Sequence, residues 1–120
     1  MPKVLIVDDD REQLDLYGTA FKLKGYSVEK VSSGEEGLRQ ARASKPDLIL
    51  LDLVMPGMDG LECLKWLRAD ELTKDIKIIL MTNMSRGGLV EEVAESGADD
   101  FVMKADLTPT ELAARVKKLI

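Results

Sequence analysis

Short apolar runs alternate along the chain with longer stretches in which apolar residues recur at helical spacing. Val4–Val7, Leu48–Leu51 and Ile78–Met81 are compact runs of strand length, Phe101–Met103 is a shorter one, and Tyr26–Val31 alternates as a half-exposed edge strand does. The first helical stretch carries Leu14, Tyr17, Phe21 and Leu23–Lys24, and the second Leu38 and Ala41. Leu61, Leu64 and Leu67 mark a third, Leu89, Val90 and Val93 a fourth, and Leu112, Val116 and Leu119–Ile120 a fifth. Punctuation agrees with these limits. Asp10 is placed to cap the first helix, with Gln13 at the reciprocal position, and Ser33 with Glu36 and Thr108 with Glu111 read as capping boxes. Gly25 and Gly97 stand where helix ends favour glycine, and Pro46 closes the second helical stretch. The pattern predicts a (βα)5 chain. Continuous rather than alternating apolar runs imply strands covered on both faces, hence an α/β, doubly wound parallel sheet.

Composition narrows what such a fold can do. The 120 residues suit one domain spanning 1–120, with 45% hydrophobic and 32% charged residues. A net charge of −5 speaks against direct binding of nucleic acid, which needs a basic face. There is no His, so histidine nucleophiles, bases and metal ligands are excluded, and the single Cys63 excludes an intrachain disulfide. Carboxylate, hydroxyl and amine remain, a ligand set suited to Mg²⁺ or Ca²⁺. The first apolar run is too short for a signal peptide or membrane span, so a cytoplasmic protein without membrane attachment is expected.

In open parallel sheets, ligands sit beyond the carboxyl ends of the strands. Here the first run ends in Asp8-Asp9-Asp10, the third in Asp52, the fourth in Thr82 and the fifth in Lys104. Adjacent strands lie about 4.8 Å apart, which brings Asp8 or Asp9 close to Asp52. Two carboxylates about 4 Å apart repel by about 4 kcal/mol at an effective dielectric of 20. Either one proton is retained or a cation is bound, and oxygen ligands at a half-open rim favour Mg²⁺.

Taken in order, these residues resemble the receiver domain of bacterial two-component response regulators. The likeness covers the whole chain: Asp8-Asp9 after the first strand, Asp52 within Leu51-Asp52-Leu53-Val54-Met55-Pro56-Gly57-Met58-Asp59-Gly60, Thr82 after the fourth, and Lys104 after Gly97-Ala98-Asp99-Asp100-Phe101. The resemblance implies a flavodoxin-like three-layer sandwich with strand order 2-1-3-4-5. It also implies a phosphoacceptor switch rather than a classical enzyme. Asp52 would take a phosphoryl group from a phosphohistidine on a sensor histidine kinase or histidine phosphotransfer protein. Mg²⁺ would be held by Asp9, Asp52 and the Val54 backbone carbonyl, with Asp8 bound directly or through water. Lys104 would neutralise the phosphoryl oxygens and the Thr82 hydroxyl would bond one of them. Thr82 and Phe101 would move together, changing the face of the fourth helix, fifth strand and fifth helix that meets a downstream protein target. Without His, the chain is the acceptor in such a transfer. Two alternatives stand beside this: a phosphatase of the haloacid dehalogenase type, which needs Asp-x-Asp where this chain has Asp52-Leu53-Val54, and a phosphorylation-independent receiver-like interaction module.

Several positions depart from the family pattern. Ala105 follows Lys104 where most receivers have a proline joined through a cis bond, and Asn83 follows Thr82 where a small residue is usual. Val54 and Met84 are apolar where polar groups can assist dephosphorylation in the family, which predicts a slowly hydrolysed phosphoryl group. Asp99, Asp100, Glu111 and Arg115 match charged positions on the dimer face of receivers attached to winged-helix transcription factors. Val90 stands at the matching basic position, so a phosphorylation-linked homodimer would lack one ion pair. Cys63 and Trp66 read as packing residues of the third helix. With no effector after Ile120, a single-domain regulator is the direct expectation, although an excised receiver has the same sequence.

Overall fold

The computed structural model describes residues 1–83 and 95–120. Five strands, β1 (Lys3–Val7), β2 (Ser27–Val31), β3 (Leu48–Asp52), β4 (Lys77–Thr82) and β5 (Asp100–Met103), form one parallel sheet in the order β2-β1-β3-β4-β5. Between them run α1 (Arg11–Leu23), α2 (Gly34–Ser44) and α3 (Gly60–Ala69). A C-terminal helix, Pro109–Arg115, continues as a 3-10 turn over Val116–Lys118. The helical stretch expected around Leu89, Val90 and Val93 lies outside the described residues.

Period-two side-chain alternation explains the continuous apolar runs. Val4 and Ile6 of β1, Leu48 and Leu50 of β3, and Ile79 and Met81 of β4 join Tyr17 and Phe21 of α1 and Leu112 and Val116 in one core layer. Leu5, Val7, Ile49, Leu51, Ile78 and Leu80 point the other way, onto Ala41 of α2 and Cys63, Leu64 and Leu67 of α3. Both faces are therefore covered, the condition under which parallel sheets occur. The edge strand β2 is only half-buried, as its alternating sequence predicts.

The caps follow the sequence with two changes. Thr108 and Glu111 make the full reciprocal box. Ser33 caps α2 by accepting from the Glu36 N–H, but the Glu36 carboxylate accepts from the Ser32 backbone and hydroxyl rather than from Ser33. Asp10 caps α1 through the N–H groups of Glu12 and Gln13. Its own N–H is taken not by Gln13 but by Asp8 Oδ1 at 2.9 Å, because that carboxylate lies only two residues away. Gly25 and Gly97 do adopt positive φ, 94° and 89°.

At the opposite end of the sheet from the strand-end carboxylates, Arg68 ties the loops together. Its guanidinium donates to the carbonyls of Lys74, Ile76 and Gly97 and pairs with Asp99 at 3.0 Å. Asp99 also accepts from the Ile78 N–H at 2.8 Å, which locks the entry of β4 to the entry of β5. A planar five-donor fork is the side chain that can satisfy so many acceptors at once.

Candidate functional site

Sheet register sets the height of each polar side chain. Val7 pairs with Leu51, so the next residues, Asp8 and Asp52, stand level on neighbouring strands. Thr82 pairs with Met103, and one residue later the Lys104 N–H donates to the Thr82 carbonyl at 2.8 Å. Four strands thus deliver their polar ends to one cavity of about 380 Å³, lined by Asp8, Asp9, Asp10, Gln13, Asp52, Val54, Thr82, Asn83 and Lys104.

The loop after β3 is held close to that cavity by Gly60. Its N–H donates to the Leu53 carbonyl at 2.9 Å, and any Cβ there would run into the Asp52 carbonyl oxygen and Leu53 Cα. Glycine is therefore required for α3 to begin so near the end of β3. Asp59 caps that helix by accepting from the Glu62 N–H at 2.9 Å.

Ligand oxygens of Asp8, Asp9 and Asp52 lie within 4.8 Å of one another. Lys104 reaches into the group from β5: its ammonium pairs with Asp8 Oδ2 at 2.7 Å and stands 3.7 Å from Asp52 Oδ2. Both oxygens of Asp8 are therefore engaged, one by Lys104 and one by the Asp10 N–H. Asp9 is exposed at the rim, whereas Asp8, Asp52 and Thr82 are buried. Asp52 also accepts a long bond, 3.4 Å, from the Val54 N–H.

The electrostatics follow from this crowding. Burial, reinforced by the Asp8 charge, pushes the Asp52 carboxyl up from 3.8 to about 7, against the opposing pull of Lys104 and the Val54 N–H. Burial draws the Lys104 ammonium downward, but its bond to Asp8 and the charge of Asp52 outweigh that, so it is raised overall and stays protonated. A single lysine does not balance three carboxylates. The hard oxygen donors, their spacing and the strained ionisation of Asp52 fit a small divalent cation such as Mg²⁺.

The sequence-predicted residues Asp8, Asp9, Asp52, Thr82 and Lys104 are brought together, with Val54 and Asn83 on the wall. No cis peptide bond occurs among the described residues, so the bond between Lys104 and Ala105 is trans and still lets the ammonium reach Asp8. Phe101 is half-buried against the α3 side of the core. Met84 and Val90 lie outside the described residues. Cys63 is buried, its thiol facing the Gly34 carbonyl at 3.7 Å and pushed up to about 12 chiefly by burial. Trp66 corrects the expectation of packing: it is 57% exposed, beside a groove between α2 and α3. The charged quartet is internally partnered: Asp99 with Arg68, Asp100 with Arg115 at 2.8 Å, and Glu111 with its Thr108 cap. Sequence reasoning missed Gln13 and Tyr17 as neighbours of the site. Helical period assigns Tyr17 to the core only, although it shares a second cavity with Lys104.

Fold and rim define an α/β domain whose site gathers acids, a hydroxyl and an ammonium at the carboxyl ends of its strands. The chain belongs to the response regulator receiver domain family of two-component signalling, matching it over residues 4–117. It is 37% identical to the DNA-binding dual master transcriptional regulator RpaA of Synechocystis sp., over 100% of this chain and 49% of that protein. It is 36% identical to the DNA-binding response regulator MtrA of Mycolicibacterium smegmatis, over 96% of this chain and 49% of that protein. The chain thus spans about half the length of the curated relatives it matches. Among solved structures, chemotaxis protein CheY4 of Vibrio cholerae superposes with a TM-score of 0.91 at 28% identity, covering 100% of this chain and 99% of that one. Response regulator TrrA of Thermotoga maritima, in complex with Mg²⁺-BeF, gives 0.87 at 34% identity with full coverage of both chains. Among the described residues no helix is long and apolar enough to cross a membrane.

Proposed function

We propose that the chain is the phosphoacceptor of a two-component or phosphorelay pathway and that Asp52 is its acceptor. The observation that carries this is a buried carboxylate, crowded by a second one and faced by a lysine 3.7 Å away, at the strand-end rim of a receiver fold. An Asp52 oxygen attacks the phosphorus of a phosphohistidine on a kinase or phosphotransfer protein. The P–N bond breaks as the P–O bond forms, and the departing imidazole nitrogen keeps the electron pair. Lys104 places positive charge beside the incoming phosphoryl oxygens, and Thr82 presents its hydroxyl at the end of β4. Asp8 holds the Lys104 ammonium in place.

Asp9, Asp52 and the Val54 carbonyl would hold Mg²⁺, with Asp8 supporting it from its occupied position. When bound, the ion supplies charge neutralisation for the acceptor and for the transferred group. The partner has a surface to use. Leu16 and Leu23 of α1 are exposed and, with Pro109, line a groove of about 610 Å³ between α1 and the start of the C-terminal helix. Output runs through Thr82 and Phe101 to the β5 and C-terminal helix face, and on to a downstream protein. A homodimer through that face would exchange the Asp100–Arg115 pair within one chain for pairs between chains.

The test is direct. Incubated with Mg²⁺ and phosphoramidate, the intact protein should gain the mass of one phosphoryl group. Absence of that gain contradicts the reading, and sustained turnover of many phosphate esters would point to a phosphatase instead.

The half-exposed Val54 side chain stands on the wall of the cavity, and Met84 is the second apolar residue expected there. With no polar side chain at these positions to orient an attacking water, the phosphoryl group should be long-lived. Val54→Asn combined with Met84→Glu should speed its loss by at least about tenfold, short of the roughly 10²- to 10⁴-fold that a fully positioned general acid or base contributes. Decay followed by intact mass after removing the donor checks this; an unchanged half-life refutes it.

A further inference from the structure

Lys104 is aimed by a carboxylate that is itself held from a helix end. Its ammonium lies 2.7 Å from Asp8 Oδ2 and 3.7 Å from Asp52 Oδ2, so it rests on Asp8 and only leans toward the acceptor. A buried carboxylate bonded through one oxygen can still turn about its Cβ–Cγ bond. Asp8 is fixed because its other oxygen, Oδ1, accepts the Asp10 N–H at 2.9 Å in a turn of the kind aspartate side chains favour. Residue 10 is held in turn by its own side chain. Asp10 Oδ1 accepts from the Glu12 N–H at 2.9 Å and the Gln13 N–H at 3.4 Å, and the Asp10 carbonyl accepts from the Leu14 N–H at 3.1 Å. These bonds keep it in the extended conformation of a helix cap, φ −90° and ψ 112°. A continuous run of bonds therefore leads from the first turn of α1 through Asp10 and Asp8 to Lys104, which faces Asp52.

We propose that Asp10 is a positioning residue for phosphoryl transfer, acting through Asp8 on Lys104. Its cap fixes the N–H that orients Asp8, and Asp8 then presents its free oxygen to the ammonium. Without the cap, Asp8 loses one of its two restraints. Lys104 is then free to slide the short distance onto Asp52 and to pair with an oxygen of the attacking carboxylate. The same turn leaves Asp9, between the two capping partners, exposed at the rim. A misplacement of about 1 Å at a reacting centre can cost about 10²-fold in rate, and a partial loss of aim costs less. This inference rests on the phosphoacceptor reading, and its tests separate the two.

Asp10→Asn and Asp10→Ala both remove the charge, but asparagine caps a helix and alanine does not, so their difference reports the cap alone. Asp10→Ala should gain phosphoryl mass from phosphoramidate about three- to tenfold more slowly at saturating Mg²⁺, and Asp10→Asn should stay within about twofold of the wild type. Ser33→Ala is the control for lost helix stability. It removes the cap of α2, and Ser33 does not line the acid cavity. It should lower the melting midpoint as Asp10→Ala does and keep the wild-type rate. In a Lys104→Ala background, Asp10→Ala should cause no further slowing, because Asp10 acts through Lys104. Equal rates for Asp10→Asn and Asp10→Ala, equal slowing by Ser33→Ala, or slowing that multiplies in the double variant overturns the proposal. A second readout does not depend on phosphorylation. The Lys104 ammonium, followed by ¹⁵N NMR, should give the same signal in the wild type and Asp10→Asn and a shifted or broadened one in Asp10→Ala. If the wild type takes up no phosphoryl group, the phosphoacceptor reading fails, while an unchanged Lys104 signal in Asp10→Ala overturns the role of Asp10.

Discussion

Asp52→Asn should lower phosphoryl incorporation by at least about 10³-fold, since it removes the attacking oxygen rather than a supporting contact. The substitution is nearly isosteric, so the buried position at the end of β3 stays filled and the Val54 N–H keeps an acceptor. Asp59→Asn is the appropriate control. That residue caps α3 from an exposed position, and asparagine caps as well as aspartate. It should incorporate phosphoryl groups at the wild-type rate. Intact mass measured against time with Mg²⁺ and phosphoramidate gives both numbers; equal incorporation by Asp52→Asn and wild type would place the acceptor elsewhere.

In magnesium-free solution the same substitution should make the protein more stable at pH 8. The folded chain holds Asp52 up near 7, whereas the unfolded chain releases that proton near 3.8. Between those values the folded state binds more protons than the unfolded state, so stability falls as pH rises, and the full penalty is present above pH 7. Below the unfolded value both states are protonated and the penalty vanishes. The displacement is discounted because the site opens to solvent, leaving a cost of about 1–2 kcal/mol at pH 8. Asp52→Asn abolishes that cost. Adding Mg²⁺ should abolish it in the wild type, with a gain of about 2.7 kcal/mol when the ion is at 100 times its dissociation constant. Urea denaturation at pH 5 and pH 8, with chelator and with Mg²⁺, checks the sign. A wild-type protein that is less stable at pH 5 than at pH 8 relative to Asp52→Asn would refute the crowding argument.

Much of this was legible in the chain because parallel strands buried on both faces leave a continuous apolar signature. The residue after each run is then forced to the same rim. Asp8, Asp52, Thr82 and Lys104 could be placed together by that logic alone, since register in a parallel sheet levels the strand ends. Side-chain choices between equivalent partners were not legible. The Asp10 N–H selects Asp8 over Gln13, and the Glu36 carboxylate selects Ser32 over Ser33, because a nearer donor or acceptor wins once the loop closes. Trp66 lies one step round α3 from Leu67, at the flank of the buried stripe, and helical period does not tell a flank in a groove from a flank in the core. Helical period places Tyr17 in the core, and it does lie there. Its approach to Lys104 joins residues far apart in sequence and depends on where β5 stops, which no local pattern encodes.

The acidic excess of the chain is thus partly a bulk property and partly a local one, with Asp8, Asp9 and Asp52 crowded where one lysine answers them. The central claim is that Asp52 is the acceptor this crowding serves. Borohydride reduction of the phosphorylated protein converts an acyl-phosphate side chain to the corresponding alcohol, which peptide mass spectrometry locates. The account predicts homoserine at position 52 and at no other aspartate; the same product at Asp8, Asp9 or Asp59, or none at all after phosphoryl mass has been gained, would contradict it.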